Sequence, residues 1–256
     1  MRNWWRKPFN RSVLMLGATA VIALAGQVLM PAAPTVPTTV VVPISSLALT
    51  CAGLPADTPG LSVAIKGAFL SGKNTAHIEV QSSTARNYTM KEAGVRTIIV
   101  TRSSSALFSA EGSAASQLVA DASIAGTLSG VRGYATYACQ PPSASQWLIG
   151  GSGDAGRTSV LQVANVDDTP ATVDLEVWTD AGSSGARSLH GIEIPARSSK
   201  QLLLPLIEPG HSVYAIHVQA TAGQVASVIL DRGQQALSSL GLDAIAPVGN
   251  PLASQY

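Results

Sequence analysis

The chain has 256 residues, 16 Lys and Arg against 15 Asp and Glu for a net charge of +1, a charged fraction of 12% and a hydrophobic fraction of 46%. That balance excludes a disordered tail, a coiled coil and an electrostatic nucleic-acid binder, while the length allows one or two domains with real cores. Aromatics are scarce at 5%, and 23 Gly and 15 Pro punctuate the chain, which suits a β protein built from Val, Ile, Leu and Ala.

Arg2, Arg6, Lys7 and Arg11 open the chain without an acid, and an uncharged run extends from Ser12 to Met30. Basic residues stay on the cytoplasmic side during insertion, so the rest of the chain is expected to be exported. As a helix, Val13 to Met30 would span about 27 Å against a bilayer core of about 30 Å. Residues 1–30 therefore read as a basic start and a transmembrane anchor, with Trp4 and Trp5 at the interface. The alternative is a signal peptide cut after Ala23-Leu24-Ala25, leaving a secreted protein. In residues 31–43, PAAPTVPTTVVVP, the prolines forbid a helix and hold an extended stalk that could reach about 40 Å.

Cys51 and Cys139 are the two cysteines. In an exported chain they read most simply as one disulfide, worth about 4 to 5 kcal/mol on the chain-entropy model. Metal ligation is the alternative, but no His or second Cys stands at finger-like spacing.

Residues 44–140 form a first β domain on this reading, with strand-like runs at Ser45 to Cys51, Leu61 to Leu70, Ala76 to Gln81, Val95 to Arg102 and Val131 to Cys139. Ser103 to Gly130, rich in Ser, Ala and Gly, stays open between a loose loop with a weak strand near Leu118 and a short helix. Residues 141–256 give runs at Gln146 to Gly150, Thr158 to Asn165, Ala171 to Thr179, Ala186 to Ile194, Lys200 to Leu206, Ser212 to Ala220 and Gln224 to Asp231, with a weak one near Leu242. Val173, Leu175 and Val177 alternate with Asp174, Glu176 and Trp178, the period of a strand with one wet face. Several such strands predict an all-β chain of two immunoglobulin-like or related sandwiches. Asn165 to Pro170 reads as a hairpin loop and Ile194 to Ser199 as a polar turn. Residues 12–132 carry seven bases and five acids, residues 133–256 five bases and ten acids. The acidic second module disfavours nucleic acid and anionic polymers as partners.

Gly151-Ser-Gly153-Asp-Ala-Gly156 has the form of a dinucleotide fingerprint, but a strand and not a helix comes after it, so it reads as a hairpin turn and no cofactor is expected. His211 and His217 share a face of one predicted strand with Asp231 on the next, which lacks a third fixed ligand for a metal site. His77 and His190 are isolated, and no serine sits in a nucleophile elbow. Asp167-Asp168 and the Asp174/Glu176 pair read as solvated carboxylates without the apolar pocket a glycosidase acid needs. No catalytic or metal residue is assigned, and the chain reads as no enzyme. Trp178 is the most informative residue, because the alternation sets it beside Asp174 and Glu176 on the polar face, where it could anchor a protein partner or stack on a sugar. Its bland reading folds it under a loop. Trp147 is expected to plug the entrance of the second sandwich, and Tyr134, Tyr137 and Tyr214 are further stacking candidates. Asn87-Tyr-Thr89 is a sequon of the kind that arises by chance.

Cys139 followed by Ser145-Gln-Trp-Leu-Ile-Gly-Gly151, then Val163 to Trp178 and Ile194-Pro-Ala-Arg-Ser-Ser199, resembles an actinobacterial family of membrane-anchored envelope proteins, catalogued as domain of unknown function 5719. The basic start, apolar segment, Pro-rich stalk and Leu49-Thr-Cys51 share in the resemblance. It implies a non-catalytic extracytoplasmic role alongside glycan-building membrane machinery. The expectation is thus a single-pass, membrane-tethered accessory or scaffold factor in envelope assembly, touching an envelope protein and the membrane. A carbohydrate-binding or adhesion module is the alternative, and an envelope hydrolase a remote one.

Overall fold

A computed structural model describes residues 44–53, 61–69, 75–81, 86–91, 94–100, 104–128, 130–183 and 189–249. The basic start, the apolar segment and the stalk lie outside the described residues. Among those described, no helix is long and apolar enough to cross a membrane.

The chain is all β. Sheet I runs in the order β1 (Ser46–Cys51), β6 (Ser105–Glu111), β3 (Ala76–Gln81), β4 (Arg86–Met90), and sheet II in the order β5 (Gly94–Val100), β2 (Leu61–Phe69), β7 (Leu118–Leu128), β8 (Val131–Ala138). Sheet III places β11 (Ala171–Thr179) between β12 (Gly182–Ser183) with β13 (Leu189–Ile194) on one side and β15 (Tyr214–Ala222) then β9 (Ser145–Ile149) on the other. Sheet IV runs β14 (Ser198–Leu203), β10 (Arg157–Asn165), β16 (Ala226–Gln235), β17 (Ser238–Ile245). A single helical turn, Leu204–Ile207, comes after β14.

Several regions depart from the expectation: β4 is not among the expected strands, and the expected strand Lys200 to Leu206 ends in a helical turn from Leu204. The undecided stretch 103–130 holds two full strands, β6 and β7, joined by a 3-10 turn at Gly112–Gln117. Their small residues suit central strands, because Ala106, Ala110, Ala120 and Ala122 are buried against facing side chains and strand preference depends on such packing more than on the residue alone. Phe108 fills the space that Gly67 leaves, where a Cβ would collide with its ring. The segments Gly151 to Gly156 and Asn165 to Pro170 are not hairpins. Each joins a strand of sheet III to a strand of sheet IV, and Asn165 anchors the second, its Nδ2 donating to Thr169, Ile194 and Pro195 carbonyls.

The strand order repeats. Numbered within its half, each half orders its strands first-sixth-third-fourth in one sheet and fifth-second-seventh-eighth in the other, if β12 is set aside. Registers match as well. Gly126 pairs Gly133 in the first half as Gly233 pairs Gly241 in the second. After the eighth strand, Gln140 bridges Thr50, and Val248 bridges Trp147, each seven residues beyond its glycine. At the position of Cys51 the second half has Leu148. Cys51 and Cys139 form a disulfide with a Cα–Cα distance of 4.6 Å, an ordinary separation for such a bond.

Residues Pro43–Tyr256 nonetheless make one compact unit. Sheet IV is the reason, since it is apolar on both faces. Leu161, Val163 and Ile229 join the core of the second half, while Ala164, Val228, Leu230 and Ala244 join that of the first. Leu242 lies over the Gly126–Gly133 pair, and a Cβ at Gly133 would come within 2.9 Å of the Leu242 amide nitrogen. The halves are also joined where Arg197 bonds both Glu79 and Asp168, and where Gln81 Nε2 donates to the Val166 carbonyl at 3.0 Å.

Candidate functional site

The alternation along β11 turns Val173, Leu175 and Val177 inward and leaves Asp174, Glu176 and Trp178 on the outer face of sheet III. The ladder sets Glu176 opposite His217 and His217 opposite Trp147; one step along, Trp178 faces Ala215 and Ala215 faces Ile149. The Trp147 indole stacks on the His217 imidazole, centroids 4.5 Å apart and planes 8° from parallel. It also meets the Trp178 indole at 5.1 Å and 31°. The small Ala215 side chain between the two outer rows leaves the room for the indoles to approach.

Polar groups border these rings. His217 Nδ1 lies 3.2 Å from Glu176 Oε2, and Nε2 lies 2.9 Å from Ser145 Oγ. Glu176 is 49% exposed and His217 16%. The order Ser, His, Glu is that of a nucleophilic triad. An acyl-transfer site also needs N–H donors aimed at the developing oxyanion, and the Ser145 N–H is spent on Ser143 Oγ at 3.2 Å. What the arrangement offers chemically is an aromatic surface with a carboxylate acceptor at its side, suited to binding.

Of the residues expected to make contacts, Glu176 and Trp178 belong to this cluster. Asp174 does not: it accepts the Gly191 N–H at 2.7 Å and lies 3.5 Å from His190, at the edge shared with β13. Trp147 does not plug the second sandwich, because the register of β9 turns it outward while Gln146 and Leu148 are buried. Tyr137 and Tyr214 are no stacking platforms. Both are buried, donating to the Ala52 and Glu208 carbonyls, and burial raises both phenols, Tyr214 to about 12. Tyr134 is 63% exposed, on the outer face of sheet II.

His211 and His217 do not share a strand face, since β15 begins at Tyr214. His211 Nδ1 lies 2.7 Å from Asp180, whose carboxyl is held below the usual range by hydrogen bonds from His211 and Ser212. Asp231 belongs to the other sheet, where it is 3% exposed and holds Arg157 and Ser159. Asp168 is 75% exposed, a solvated carboxylate as read, and the Arg197 guanidinium lowers its pKa by hydrogen bonding and charge. Sequence reasoning missed Trp147, His217 and Ser145 as neighbours of Trp178. Only the pairing register, which a single strand does not display, could have found them.

The model of a family of unknown function, DUF5719, matches residues 95–256. The match starts within β5 and takes in all of sheets III and IV. No curated protein matches. Among solved structures, the crystal structure of a protein described as secreted, from Parabacteroides distasonis ATCC 8503, shares 9% identity over 83% of this chain and 85% of that one, with a TM-score of 0.19. At that score the likeness carries no argument.

Proposed function

The chain belongs to the DUF5719 family of unknown function, and we propose that it acts outside the cytoplasm as a non-catalytic, membrane-tethered accessory or scaffold protein of cell-envelope assembly. We read each half as an immunoglobulin-like sandwich variant, with the usual second-fifth and third-sixth pairs but the first strand beside the sixth. The basic and apolar start supports export and tethering, and the Cys51–Cys139 bridge supports an oxidising compartment. One observation carries the binding role: Trp147, His217 and Trp178 stack into one cluster on an outer sheet face beside the half-exposed Glu176. Clustered tryptophans with a charged neighbour are the usual anchors of a protein contact.

The test is a photo-crosslinking amino acid at position 178 of the full chain in cells, with mass spectrometry of the adducts. Capture of a defined envelope protein is the expected result. Adducts no more abundant than those from a site on β4 would refute the role. A second reading, a glycan ligand, draws on the paired indoles, which suit a sugar ring. A glycan array decides it: binding that Trp178→Ala abolishes supports a sugar site, and an array without binding removes it.

A further inference from the structure

The repeated strand order shows what each surface of one half does in the other. Position for position, Leu242 corresponds to Tyr134, the residue after the paired glycine of the eighth strand. Leu242 is the knob with which the second half covers the Gly126–Gly133 notch of the first. The matching notch of the second half, at Gly233 and Gly241, forms a cavity of about 250 Å³ lined by Arg157, Asp231 and Asp243 together with Leu240 and Leu242. Glu79 and Gln81, which take Arg197 and the Val166 carbonyl of the second half, correspond in the ladder to Glu176 and Trp178.

From this correspondence we infer that molecules of this chain associate head to tail, the outer face of sheet II of one copy docking on the free end of the second half of the next. Tyr134 then enters the Gly233–Gly241 notch, and Lys91, the residue after β4, meets Glu176 as Arg197, between β13 and β14, meets Glu79. The inference rests on the binding role proposed for the Trp178 face and names its partner as a second copy.

Knob and notch change together. In the first half the notch is bordered by Leu61, Val63 and Ile124 and receives leucine; in the second the same ladder positions hold Arg157, Ser159 and Asp231, and the corresponding knob carries a phenol. The face around Tyr134 has changed in the same sense. Ser123 stands where sheet IV has Leu230; it is 6% exposed, its hydroxyl has no hydrogen-bond partner among the described residues, and it lines a cavity of about 190 Å³ with Tyr134 and Ile99. A knob with a phenol, a notch that sets charged groups beside leucines and a buried hydroxyl unpaired among the described residues fit a contact made between molecules, which must also be tolerable in water when open. Because the two surfaces differ, the contact is heterologous and extends a row.

The test places a photo-crosslinking amino acid at position 134 of the full chain in detergent micelles. The expected product is a covalent dimer joining position 134 to the segment 231–243 of the other copy, reduced at least tenfold by Asp243→Arg at the exposed notch rim. A tagged chain carrying Asp243→Arg but an intact knob should still link to an untagged chain with an intact notch, which shows that the variant folds. Absence of the dimer, a 134-to-134 linkage, or a yield indifferent to Asp243→Arg overturns the inference. Adducts at position 178 report separately: if they persist with another protein while the 134 linkage fails, self-docking falls and the binding role stands; if both fail, both fall.

Discussion

At one end of the first half, Leu61, Val63 and Ile124 border a pair of glycines over which Leu242 lies; at the matching end of the second half, the same ladder positions hold Arg157, Ser159 and Asp231. The backbone is the same and the covering is not. Where another module seals the end, apolar side chains stay dry; where no strand among the described residues seals it, a hydrogen-bonded charge network takes their place. Arg157 bonds Asp231, and Ser159 Oγ donates to Asp231 at 2.7 Å while accepting the Ser152 N–H at 2.7 Å. Terminal repeats of stacked proteins carry polar outer faces for the same reason. Strand order is therefore shared by both halves, and side chains answer to what lies above them.

The largest difference to break is covalent. The first half has the Cys51–Cys139 bridge and the second has Leu148 at the equivalent position. Replacing both cysteines by alanine should lower stability by about 2–5 kcal/mol, read as a shift of the urea midpoint. A midpoint that does not move would mean the bridge constrains nothing the sheets do not.

Next comes the network at the second end. Asp231→Ala leaves a half-exposed guanidinium without its acceptor, while the Ser159 hydroxyl can still donate to the Ser152 carbonyl at 3.0 Å; it should cost about 2–3 kcal/mol, below the figure for a fully buried pair. Transplanting the first half's residues as Arg157→Leu, Ser159→Val and Asp231→Ile should recover most of that loss, because apolar groups of similar volume replace a buried ion pair at little cost. It should also make the end sticky, seen as aggregation in light scattering. If the triple variant is no more stable than Asp231→Ala, the correspondence of the two ends is wrong.

The contact between the halves is sharper in scale. Gly133→Ala should cost about 1–3 kcal/mol, since its Cβ meets the Leu242 amide nitrogen at 2.9 Å. A neutral result in thermal melts would show that the two halves slide apart easily. Smaller still is Trp178→Gln, which installs the residue found at the corresponding position of the first half. It should change stability by no more than about 1 kcal/mol, as expected for a half-buried side chain, while abolishing the adducts of a photo-crosslinking amino acid placed at the exposed Ile149, on the same outer row.

The smallest effect is pH-dependent. Arg197 depresses the Asp168 carboxyl pKa, so this contribution is complete above the ordinary carboxylate range and disappears as the pH falls below it. Wild type should lose more stability on acidification than Asp168→Asn, which has no such group to protonate. Equal acid sensitivity in the two would show that the clasp contributes nothing to folding.

Much of this architecture is written in local pattern. The ends of β3 and β11 fall where alternation and flanking turns put them, and the outward direction of Trp178 comes from the same alternation. β6 and β7 escaped because Ala, Ser and Gly acquire strand character only when a facing sheet needs small side chains. The Trp147–His217–Trp178 cluster escaped for another reason. Its members lie on three strands far apart in sequence, and one-residue shifts of register would bury what is now outside. The repeat of strand order is equally silent in residue identity, visible in the positions of the glycine pairs.

Leu242 also sets a timetable. The notch it covers is complete once Gly133 has been made, yet the covering residue comes 109 positions later. At about 5–20 residues per second, the nascent first half spends roughly 5–20 s with that apolar opening uncovered. The interval is long enough for a holdase to bind it, and the disulfide, whose cysteines are both present early in that interval, can close before the last strand arrives.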